Sequence, residues 1–234
     1  MVGYMITRRG FSLMAASPQL GKIFEKFGAK GGPLTDGRIA DGLKEALKIG
    51  ASNAVNLTGK KDGFFLNQAI KILLPEPLQK AERALRLVGM GKQLDELVLG
   101  MNRAAESAAP LAKDIFLNAI VEMNFEDAKA ILRGSETAAT DFFKSKTTPK
   151  LTELFRPPVA TVMGDVGVTR QWNTLFSRVK SLPLVKTDPI DFEGYVVTKA
   201  LNGLFSVLGQ EEAKIRKDPA ARVTSILKEV FGAR

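Results

Sequence analysis

The chain contains no cysteine and no histidine. The first absence excludes disulfides, thiolate nucleophiles, cysteine-ligated zinc and lipid attachment through an N-terminal Cys. The second excludes a Ser-His-Asp triad and any imidazole metal site. A catalyst built from this chain must use carboxylates, lysine or tyrosine. Aromatics other than Phe are scarce, with one Trp and two Tyr in 234 residues. No apolar run reaches the roughly 18 residues that a bilayer-spanning helix needs.

What is present is apolar and basic. Hydrophobic residues make up 45% of the chain, enough for a real core, and the net charge is +9. Residues 1–32 carry Arg8, Arg9, Lys22, Lys26 and Lys30 against Glu25 alone, a surplus of four. In the remainder Lys and Arg are interleaved with Asp and Glu, and the longest basic cluster is Lys60-Lys61. A phosphate-tracking groove needs a one-signed stripe with stacking aromatics, so nucleic acid is not an expected partner.

Thr7-Arg8-Arg9-Gly10-Phe11-Ser12-Leu13 resembles a twin-arginine export signal, with Arg8, Arg9 and Phe11 as its defining residues. Leu13-Met14-Ala15-Ala16 then breaks off at Ser17-Pro18-Gln19, short of the usual apolar stretch, and no clean cleavage site follows. Three readings stay open: a degenerate export signal, a basic disordered arm, or an organelle transit peptide. Gly28 to Pro33 reads as a flexible joint. The expected division is a basic arm over 1–33 and an all-helical domain over 34–232.

From Thr35 onward the three-to-four spacing of apolar residues predicts helices almost throughout. Leu94, Leu97, Val98, Met101, Ala104, Ala105 and Ala108 form the clearest stripe. Gly89 and Gly91 read as a helix stop, Asn124 with Asp127 as a capping box, and Gly134 as a stop. Thr148-Pro149 reads as a helix start and Pro157-Pro158 as an interruption. Residues 69–74 read as a short extended piece closed by Pro75. The expected fold is all-α: one compact bundle of about nine or ten helices, the last opened by Asp218-Pro219.

The strings "MNRAAE", "EDAKAIL" and "IRKDP", in this order, make residues 37–232 similar to domain-of-unknown-function family 4197. That group comprises bacterial, mostly exported, helical proteins without an assigned activity. The resemblance implies a helical fold and an envelope or periplasmic location. It implies no reaction and no catalytic residues.

Asp95, Asn102 and Glu106 fall on one strip of a helix turning about 100° per residue, with Arg103 beside them. They form either a polar patch that grips a ligand head group or partner helix, or an internal network that locks adjacent helices. Gly89-Met90-Gly91-Lys92 is not a Walker loop, because Gln93 follows the lysine and a helix precedes it. Asp188, Asp191 and Glu193 lack calcium-loop spacing and read as helix capping. Glu211 and Glu212 point about 100° apart on a helix and read as a solvated face. The Met and Phe residues read as core packing, with the lining of a cavity for a greasy ligand as the alternative. No cofactor and no metal site is expected.

These residues point to a non-catalytic envelope interaction or structural module. The alternative is a carrier of a hydrophobic, lipid-like ligand between helices, and the third reading is a carboxylate-dependent hydrolase. The expected partner is accordingly an envelope protein or a hydrophobic ligand.

Overall fold

Each apolar stripe finds a partner stripe in the structure, a computed structural model that describes residues 36–165, 167–180 and 189–217. The described residues form eight α-helices and no strand. They are α1 (Asp36–Gly59), α2 (Glu76–Leu87), α3 (Gly91–Ala108), α4 (Ala112–Glu122), α5 (Phe125–Arg133), α6 (Ala138–Asp165), α7 (Val168–Lys180) and α8 (Phe192–Lys217). A 3-10 turn, Ala109–Leu111, joins α3 to α4. The export-like stretch with Arg8, Arg9 and Phe11, the Gly28–Pro33 joint, Asp188 and the expected last helix lie outside the described residues.

The core runs along α8, which packs against α1, α3 and α6. Phe116 of α4 sits between Phe143 of α6 and Phe205 of α8, with ring centroids 5.0 and 6.0 Å away. Trp172 stacks on Phe176 at 4.6 Å and on Phe192 at 4.3 Å, tying α7 to the start of α8. The α3 stripe is confirmed: Leu94, Leu97, Met101, Ala104, Ala105 and Ala108 are fully buried. Its alanines let neighbouring helices approach closely.

Two local signals behave as their chemistry requires, whereas Gly91, read with Gly89 as a stop, opens α3 instead. Gly89 adopts φ +84°, a conformation that disfavours side chains, and ends α2 before α3 begins. Asn124 accepts from the Asp127 N–H at 2.8 Å, and the Asp127 carboxylate accepts the Asn124 N–H at 3.2 Å. That is the reciprocal capping box of α5.

The prolines of α6 correct two expectations. Pro149 does not start a helix and Pro157-Pro158 do not interrupt one; all three lie inside a single 28-residue helix. An interior proline costs about 3 kcal/mol through its missing N–H and ring clash. Against this stands a stripe at every fourth residue, Phe143, Thr147, Leu151, Phe155, Val159 and Met163, all buried. Burial of each large apolar member contributes about 1.5–3 kcal/mol, a sum of the same size as the proline cost that it offsets. The hydroxyls of Thr147, Thr148 and Thr152 donate to carbonyls four residues back, bridging the turns around Pro149. Two expected helices thus become one.

Candidate functional site

Between α1 and α2 the chain runs from Lys60 to Pro75 in turns followed by an extended piece with no strand partner. Its backbone groups cannot all pair with one another, and buried ones must find partners. Side chains of α3 supply them. Asn102, fully buried, accepts the Ile72 N–H at 2.9 Å and donates to the Ile72 carbonyl at 2.9 Å. Its second amide hydrogen goes to the Val98 carbonyl. The side-chain amide thus does for Ile72 what a neighbouring strand would do.

One turn further along α3, Glu106 does the same for the start of the loop. Its Oε1 accepts the N–H groups of Phe64 and Phe65, each at 3.0 Å. Its Oε2 accepts from Arg103 at 2.6 Å, and the other arm of that guanidinium holds Asp62 at 2.6 Å. Asp62 itself sits at φ +66°. That left-handed turn is held by the ion pair and lets Phe64 drop into the core. There the ring lies on Gly203 of α8, where a Cβ would overlap it.

The sequence places four residues in this patch, and the structure brings three of them together. Asn102, Arg103 and Glu106 form one network with the loop. Asp95 stands apart: it is largely exposed and pairs with Arg86 of α2 at 2.6 Å. That hydrogen bond holds the Asp95 carboxyl below the usual carboxylate range. The network fastens a loop rather than a second helix.

Sequence reasoning missed a second polar cluster. Glu211 and Glu212 are not a solvated face; they are 6% and 7% exposed. Glu212 reaches from α8 to the first turn of α6. It accepts the N–H groups of Ala139 and Thr140 and the Thr140 hydroxyl, and pairs with Arg216. Glu211 accepts from Asn53 of α1 and pairs with Lys214. The two carboxylates diverge, as helical geometry requires, but each diverges into a neighbouring helix. The signal that finds them is the apolar frame: Leu208 and Ile215 flank them on the buried side of α8.

Beside Glu212 lie two apolar clefts between α1, α6 and α8, lined by Ala46, Leu47, Ala139 and Ile215. Their volumes are about 10 and 20 Å³. Each has room for about one water and none for an acyl chain. Asp191 caps α8: its carboxylate accepts the Gly194 N–H at 2.8 Å and pairs with Arg156 at 3.0 Å. Among the described residues no three acidic side chains gather to hold a metal ion, and no helix is long and apolar enough to cross a bilayer.

A family model described as "Protein of unknown function (DUF4197)" matches residues 33–232. No curated protein and no solved structure matches the chain.

Proposed function

The chain therefore belongs to this family of proteins of unknown function, and from that premise we propose that it is a non-catalytic interaction module of the cell envelope. The observation that carries this reading is where the polar groups of the site are spent. Asn102 Oδ1, one Asn102 amide hydrogen and Glu106 Oε1 are directed at the backbone of the 60–75 loop, and the remaining groups are satisfied by Val98 and Arg103 of the same helix. Catalytic acids and bases need an open approach to a substrate atom within hydrogen-bond reach. A buried, satisfied clamp instead fixes one conformation of what it holds. Here it holds a surface loop, and a loop rigidly displayed on a helical scaffold is the usual carrier of recognition.

The envelope location rests on the Thr7-to-Leu13 stretch and its twin arginines. The test combines fractionation with crosslinking. A photo-crosslinking residue at Leu66, in cells fractionated into cytoplasm, periplasm and membrane, should give a discrete crosslinked species in the envelope fractions. Protein confined to the cytoplasm without such a species refutes the reading. So does substrate turnover by the purified chain.

A further inference from the structure

The clamped loop presents an unusual outer face. Leu66 is 64% exposed and Leu73 is 55% exposed, although the neighbouring Phe64, Ile70, Ile72 and Leu74 are buried. Lys71 holds its ammonium 4.3 Å from the centre of the Phe65 ring. Tyr195 of α8 donates its hydroxyl to the Leu73 carbonyl at 2.9 Å, and Lys199 lies 5.5 Å from the Tyr195 ring. These contacts group Lys71 with Phe65, next to exposed Leu66 in the chain, and Leu73 with Tyr195 and Lys199. Lys60 and Lys61, both exposed, stand at the start of the same loop.

Four acids near this face are already committed. Asp62 is held by Arg103, and Glu106 is buried in the same network. Asp95, whose charge Lys71 also feels, is held by Arg86, and Asp191 by Arg156. Among the described residues no carboxylate lies in ion-pair range of Lys71 or Lys199. The face is therefore positive as well as apolar.

We propose that this face docks the protein on an anionic lipid surface. Leu66 and Leu73 enter the headgroup boundary, Phe65 and Tyr195 lie at its level, and the lysines meet the phosphates. This is the division of labour that interfacial binding requires: protruding apolar side chains, amphipathic rings and snorkelling cations. A protein partner would offer a matching groove or acidic patch; isolated leucines flanked by lysines suit a deformable, uniformly anionic surface better. The net charge of +9 has the complementary sign. Because Asn102 and Glu106 hold the loop before contact, docking does not have to order it. The inference rests on the interaction-module reading and names its partner.

The test is co-sedimentation of the full chain with phosphatidylcholine vesicles, with and without phosphatidylglycerol. The expected result is binding only when phosphatidylglycerol is present, weakened by salt. Leu66→Ser with Leu73→Ser should lower the partition coefficient about tenfold. Lys71→Gln and Lys199→Gln should each lower it about fivefold. An unchanged melting temperature for the leucine variant, whose side chains are exposed, separates docking from unfolding. Arg8→Gln with Arg9→Gln should leave most binding in place. The inference is overturned if the wild-type chain ignores phosphatidylglycerol vesicles, or if the leucine variant binds as well as the wild type. It is equally overturned if the arginine variant loses all binding. Failure on vesicles with a discrete protein crosslink at Leu66 would overturn this inference and keep the module reading; substrate turnover would overturn the module reading instead.

Discussion

The Glu212 carboxylate on α8 caps α6 through Thr140, accepting its N–H at 2.9 Å and its hydroxyl at 2.8 Å. The two residues are 72 positions apart, so the cap forms only when α6 and α8 are docked. Replacing Glu212 by Ala leaves two helix N–H groups and the half-buried Arg216 without their carboxylate. Glu212→Ala should cost about 3 kcal/mol, and Thr140→Val about 1 kcal/mol. A double-mutant cycle by urea unfolding should give a coupling of about 1 kcal/mol; additive losses would contradict the contact.

Asn102→Ala removes both hydrogen bonds to the Ile72 backbone. The expected loss is about 2 kcal/mol, with faster hydrogen exchange at the Ile72 amide. Unchanged protection of that amide would show that the loop does not depend on α3.

Arg103→Met leaves Glu106 facing backbone N–H groups alone and releases Asp62 from its ion pair. The melting temperature should fall. An unaltered melt would assign Arg103 to surface binding rather than to the clamp.

Gly203→Ala should destabilise by about 1–3 kcal/mol, because the new methyl group overlaps the Phe64 ring. Phe64→Leu should recover part of that loss in the Gly203→Ala background. Strict additivity of the two losses would place the strain elsewhere.

The Asp191 carboxyl is held below its usual range, first by the Gly194 N–H and then by Arg156. A depressed folded-state pKa adds stability above the unfolded value of about 3.9, and that stability is lost as pH falls through the lower folded value. Asp191→Asn should therefore melt below the wild type at neutral pH, and the gap should close as pH falls below the usual carboxylate range. The group is well exposed, so the gap is small. A difference that persists or widens in acid would contradict the capping role.

The parts of the fold written in local spacing were legible. The α3 stripe and the Asn124–Asp127 box need only residues three or four apart, and both form as read. The α6 helix was not legible, because its buried residues recur every fourth position and drift around a straight helix by about 40° at each step. Three prolines on that drifting pattern read as breaks. Glu211 and Glu212 were misread for the opposite reason: neighbour spacing on one helix cannot reveal partners on α1 and α6. Asn102 and Glu106 could be placed on one strip of α3, either outward or inward. What they grip could not, since loop backbone leaves no trace in side-chain periodicity.

The clamp on the 60–75 loop has a consequence for substitution. Its anchors, at Phe64, Phe65 and Ile72, are backbone atoms gripped by α3 side chains. Every residue except proline carries those atoms. The exposed positions between, Leu66, Gln68 and Ala69, can therefore be exchanged without disturbing the scaffold. The scaffold thus leaves these positions open to be shaped by whatever surface the loop meets.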